Sequence, residues 1–184
     1  DYAGAYLTIN NATGNIYSLD IEANGYSSVA SAYISGDLTI TSGELNLNAN
    51  GNYSSAYLNF GGNVSLDNTN VHVNANGLST FVSLDLYNGI TGSIHDLSVK
   101  AEGSDASAYA YVSGDITING DITVAATNTS AYAYADIDNG EDNSSSIYSH
   151  VYLAGGDIKV SADSYRSSAY LNMNDANVRG WVGS

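Results

Sequence analysis

A chain of 184 residues with 19 acidic and 4 basic side chains, no Cys and no Pro carries a formal net charge of -15. Its fixed cations, Lys100, Lys159, Arg166 and Arg179, cannot neutralise a phosphate track, so nucleic acid is excluded as a partner, and anionic membranes repel it. Without Cys there are no disulfides, thiolate metal sites or thiol nucleophiles, and no apolar run nears the ~18 residues of a membrane-spanning helix.

Charged residues make up 12% of the chain, about half the ~25% of ordinary soluble domains. Asn, Ser, Thr, Gly and 16 Tyr take their place, a composition typical of repetitive extracellular proteins. No basic-plus-apolar leader is visible, so a secreted product would be present here already processed. In chain order, the first expected strand is Ala5-Tyr6-Leu7, where Ala5, Leu7 and Ile9 share one face. The next is Leu19-Asp20-Ile21-Glu22-Ala23, two aliphatic residues separated by one position with Ala two further on. That pattern returns from Leu45, Val71, Leu97, Ile122 and Ile158, at steps of 26, 26, 26, 25 and 36 residues.

A period of two in the apolar residues means strand. A second strand stands about seven residues ahead of the recurring pattern, at Leu38/Ile40, Val64/Leu66, Ile116/Ile118 and Val151/Leu153. The opening strand also recurs, as Ala32-Tyr33-Ile34, Ala56-Tyr57-Leu58, Val82-Ser83-Leu84, Ala108-Tyr109-Ala110, Ala131-Tyr132-Ala133 and Ala169-Tyr170-Leu171. Gly with Ser, Asn or Asp fills the turns, and Asn24-Gly25, Asn50-Gly51 and Asn76-Gly77 close corners. Three short strands per ~26 residues make one triangular coil, and stacked coils pair equivalent strands in parallel. The expected fold is all-β: a single-stranded right-handed parallel β-helix (β-solenoid) of about seven rungs, ~33 Å long at ~4.8 Å per rung. It forms one domain over 1–184, with an acidic loop insertion near 136–148.

The stretches Ser35-Gly36-Asp37-Leu38-Thr39-Ile40, Ser113-Gly114-Asp115-Ile116-Thr117-Ile118 and Gly155-Gly156-Asp157-Ile158-Lys159-Val160 resemble rungs of filamentous-haemagglutinin-like exoproteins and related autotransporter adhesins. The likeness runs through nearly the whole chain as a style of repeat. It implies a right-handed parallel β-helix on a cell surface.

The intervening tyrosines of the opening strands must point outward. Tyr6, Tyr33, Tyr57, Tyr109, Tyr132 and Tyr170, interrupted by Ser83, are expected to align as an external ladder, widened by Tyr111, Tyr134 and Tyr152. Stacked rings can simply brace neighbouring strands; they can also form a face for lateral packing or for sugar rings. Asn24, Asn48, Asn50, Asn74 and Asn76 form an outward amide ladder of structural type. Outward Thr39, Thr41, Thr117 and Thr123 build no unbroken two-column array, which argues against ice binding.

The 36-residue step holds an acidic loop in which Asp136, Asp138, Glu141 and Asp142 supply oxygens for a calcium ion. The spacing does not complete an EF-hand, and no cofactor is required. His72, His95 and His150 share no metal-ligand spacing. The acids are dispersed, so a polysaccharide-processing enzyme ranks third and the chain reads as non-enzymatic. Glycosylation triplets begin at Asn11, Asn52, Asn63, Asn128 and Asn143. No capping helix, Pro or charge cluster guards either end of the stack. Head-to-tail contacts are therefore expected, involving Tyr2, Ala5 and Leu7 at one end and Leu171, Met173, Val178 and Trp181 at the other. The expected function is an extracellular structural subunit of a surface filament or fibre, partnered by itself end to end, with lateral self-contact as a further option. The alternative is an adhesin or carbohydrate-binding module that uses the tyrosine face.

Overall fold

A computed structural model describes residues 1–86, 90–138, 151–163, 165–174 and 177–178. The first rung is β1 (Tyr2–Ile16) and β2 (Leu19–Asn24), the second β3 (Ser27–Thr41) and β4 (Glu44–Asn50). The third is β5 (Tyr53–Gly61) and β6 (Val64–Asn76), the fourth β7 (Ser79–Leu86) and β8 (Ile90–Glu102). The fifth comprises β9 (Asp105–Val112), β10 (Asp115–Ile118) and β11 (Ile122–Thr127), the sixth β12 (Tyr132–Asp138), β13 (Val151–Leu153) and β14 (Ile158–Asp163). β15 (Ser168–Asn174) and β16 (Asn177–Val178) open the last. Every pairing between these strands is parallel and joins one rung to the next. The chain is a β-solenoid, and among the described residues no helix is long and apolar enough to cross a membrane.

The 26-residue register is the pairing register. Leu19 pairs with Leu45, Leu45 with Val71, Val71 with Leu97, Leu97 with Ile122, and Ile122 with Ile158. Alternate residues point inward and stack on their equivalents: Ile34, Phe60, Leu86 and Val112 form one buried column, Leu47, Val73, Val99 and Val124 another. Each large apolar side chain so enclosed contributes about 1.5–3 kcal/mol. Small residues form a further buried column, Ala49, Ala75, Ala101 and Ala126.

The corner after that column has no room for a side chain. Gly51 N–H donates to Asn76 O at 2.9 Å and Gly77 N–H to Glu102 O at 2.9 Å, and a Cβ on Gly77 would run into the carbonyl of Gly51. Gly36 adds a backbone reason, with φ of +131° and the Ala12 backbone where its Cβ would lie.

Two details depart from the sequence expectation. Rungs with a neighbour on both sides amount to about five turns rather than about seven, because β1 and β15 each pair on one side only among the described residues. Nor is every rung three short strands: β1 and β3 run on from the opening face into the second, and β6 and β8 run from the second face into the third. Register shifts at Ile9/Ala12 and between Leu66 and Val71 absorb those bends.

Candidate interaction face

The opening strands β1, β3, β5, β7, β9, β12 and β15 lie side by side as one parallel sheet. Their inward residues form the core, so the others must face out. Tyr6 is 72% exposed, Tyr170 53%, Tyr33 40% and Tyr57 38%, while Tyr109 and Tyr132 are half-buried by their neighbours. The six tyrosines share this face but not one column. Tyr6, Ser31, Tyr57, Ser83, Tyr109, Tyr134 and Tyr170 are in register, whereas Tyr33 lies opposite Thr8 and Asn59, and Tyr132 lies between Ser107 and Ser168. A slip of two residues keeps a side chain on its face, which is why periodicity alone misplaced Tyr33 and Tyr132.

The stack that forms is a zigzag between adjacent columns. Ring centroids run Tyr57 to Phe81 at 5.4 Å, Phe81 to Tyr109 at 5.3 Å, Tyr109 to Tyr132 at 5.4 Å and Tyr132 to Tyr170 at 5.6 Å. Interplanar angles of 30–38° turn the ring faces toward one another. The outer edge of the stack is therefore a comb of ring edges, with phenol hydroxyls on the tyrosines. Phe81 bridges the place where Ser83 was expected to break the ladder; its position between buried Thr80 and Val82 marks it as outward.

Among rungs one to four the face alternates large with small. Along the strands it reads Tyr2-Gly4-Tyr6-Thr8, Ser27-Val29-Ser31-Tyr33, Tyr53-Ser55-Tyr57-Asn59 and Ser79-Phe81-Ser83-Asp85. A groove of about 410 Å³ crosses it, lined by Ser27, Ser55, Ser79 and Ser107 with Tyr53, Phe81 and the exposed carboxylate of Asp105. A second hollow of about 420 Å³ lies at the adjoining corner, beside Tyr33, Asp37 and Asn63.

Few charges reach the face. Partial burial raises the Asp85 carboxyl above the usual carboxylate range, opposed by a 3.5 Å bond from Ser83 Oγ. Asp136 accepts from Tyr134 Oη and Asn172 Nδ2, both at 3.2 Å. Burial, then the neighbouring Tyr134 and Asp85, push the Tyr111 phenol up. Burial and then Asp136 do the same for Tyr134.

Elsewhere polar side chains tie rung to rung. Asn50 Nδ2 donates to Asn24 Oδ1 at 2.9 Å, Asn74 to Asn48 at 3.1 Å and Asn63 to Asp37 at 3.0 Å. Asp96 Oδ1 accepts from Asp121 N–H at 2.8 Å, and Asp121 Oδ1 from Asp157 N–H at 2.9 Å. Asp136 is thus placed in the tyrosine sheet, Asp138 ends the same strand, and Glu141 and Asp142 lie outside the described residues. Among the described residues no group of three or more His or carboxylates gathers as for a metal. Asn11 and Asn128 are exposed at positive φ, Asn63 is exposed and Asn52 half-buried; Asn143 falls outside the described residues, as do His150 and Trp181. Tyr2, Ala5 and Leu7 lie in β1 and Leu171 and Met173 in β15, at opposite ends of the stack, while Val178 in β16 pairs with Leu153.

No protein-family model, curated protein or solved structure matches this chain.

Proposed function

We propose that this β-solenoid is a non-enzymatic structural rod, an extracellular subunit of a surface filament or fibre whose copies stack end to end. The observation that carries the reading is the use made of the outer polar groups. Asn24, Asn48, Asn50, Asn74, Asp96 and Asp121 engage the next rung, and a site for chemistry would need such groups free and convergent. Among the described residues β1 and β15 each pair on one side only, and their other edges would supply strand donors and acceptors for axial stacking. The resemblance to haemagglutinin-like and autotransporter rungs supports the extracellular placement. Negative-stain imaging tests this: purified protein should form rods several times the ~33 Å of one unit, and Leu7→Asp or Leu171→Asp should shorten them. Particles of one unit length at every concentration would overturn it.

Carbohydrate binding is the second reading, favoured by the high exposure of Tyr2, Tyr6 and Tyr53. The tilted stacking of Tyr57, Phe81, Tyr109, Tyr132 and Tyr170, at 30–38° between ring planes, weighs against it, because a sugar ring needs an aromatic face and these faces are turned to each other.

A further inference from the structure

The tyrosine face is a candidate docking surface, and its relief specifies the occupant. We propose that it pairs with the same face of a second copy of this chain, in a closed two-fold dimer whose strands run parallel and whose rods run antiparallel. A two-fold axis in the contact plane, parallel to the strands and passing between β5 and β7, keeps each residue in its column and exchanges neighbouring rungs. Tyr53 of one copy then faces Ser79 of the other, Tyr57 faces Ser83, and Phe81 faces Ser55. One rung further out Ser31 faces Tyr109 and Val29 faces Ser107; Tyr33 against Tyr111 is the one ring-to-ring meeting in these two pairs of rungs. The groove over Ser27, Ser55, Ser79 and Ser107 spans the four central rungs on one side of this contact and receives the rings of Tyr53 and Phe81 of the other copy. In the outermost pair Tyr6 meets Tyr134, so the interlock is confined to the four central rungs, where a surface with the same large-small alternation at the same ~4.8 Å pitch fits.

Charge points to the same occupant. A chain of net charge -15 repels its copies everywhere except where carboxylates are few and staggered. In this register Asp85 faces Asn59, Asp105 faces Ser27 and Asp136 faces Thr8, so no carboxylate meets another. Six overlapping rungs, four outward positions wide, bury about 600 Å² per copy. That is the lower end of the ~1,200–2,000 Å² total of specific interfaces, so the association should be reversible and concentration-dependent.

The proposal deepens the structural reading, and the two fail separately: rods stacked end to end survive loss of the face-to-face contact. With axial stacking blocked by Leu7→Asp and Leu171→Asp, sedimentation velocity should show the mass rising from 19.1 kDa toward twice that value with concentration. Ser55→Glu, which sets a carboxylate against Phe81, should weaken association at least tenfold, while Thr123→Glu on another face leaves it unchanged. Both side chains are half-exposed, and equal melting temperatures would show both variants folded. The chain has no Cys, so a short bis-maleimide should cross-link Ser55→Cys and spare Thr123→Cys. Lateral monomers up to ~1 mM, cross-linking equal at both sites, or a weakening by Thr123→Glu as large as that by Ser55→Glu would overturn the dimer. So would a β-linked hexasaccharide that binds the face of a protein showing no lateral association.

Discussion

Two residues of the fourth rung sit at odds with their surroundings. Thr80 is 3% exposed and its hydroxyl has no protein partner, unlike Ser54 in the preceding rung, whose Oγ donates to Asn76 O at 3.0 Å. A buried hydroxyl without a partner costs about 1–3 kcal/mol. Thr80→Val should therefore stabilise the fold by about 1 kcal/mol, read as a higher urea midpoint at unchanged slope. Asp85 is the second: desolvation raises its carboxyl above the usual range. In the window between the ordinary and the raised value, the folded chain holds more protons than the unfolded one. Its contribution to stability therefore falls as pH rises through that window. Asp85→Asn should raise the melting temperature at pH 7 and lose that gain below pH 3.5; an equal gain at both would exclude a charge effect.

The stack built on Phe81 is a property of the strand array. It makes ring contacts at 5.4 Å with Tyr57 and 5.3 Å with Tyr109, and such pairs contribute about 0.5–1.5 kcal/mol each. Phe81→Ser should cost about 1–2 kcal/mol and Phe81→Tyr almost nothing, checked by thermal unfolding. At this scale the sequence was most legible on the third face. There Leu-x-Leu-x-Ala recurs with few competitors, and the pairing of Leu45 with Val71 follows from the repeat alone. The opening face was less legible because its strands alternate Ala with Ser or Tyr over many residues. Ala32 and Ala30, or Ala131 and Ala133, compete equally for the Ala5 column, and a two-residue slip leaves every side chain on its proper face. Pairing of Ala30 with Ala5 and Ala56, and of Ala133 with Ala108, decides it. The groove could not be read before that register was known, since its serines come from four different strands.

Across the whole molecule the corners and the sheets carry different constraints. Ile122 pairs with Ile158, and Thr127 with Asp163, without a slip, although 36 residues separate these partners where about 26 separate the others. The extra residues fall in sequence between β12 and β13, and β10 still pairs with β13 residue for residue, from Ile116 with Val151 to Ile118 with Leu153. Loop closure grows only with the logarithm of length, so added residues at a corner cost little, whereas one residue added inside a strand turns its whole apolar set outward. A ten-residue Gly/Ser insert after Asp138 should change the melting temperature by less than about 2 °C, while a single Gly inserted after Asn46, inside β4, should prevent folding. The solenoid is accordingly a display chassis, on which grafted epitopes or enzymes would ride at fixed axial intervals while the rungs beneath keep their count.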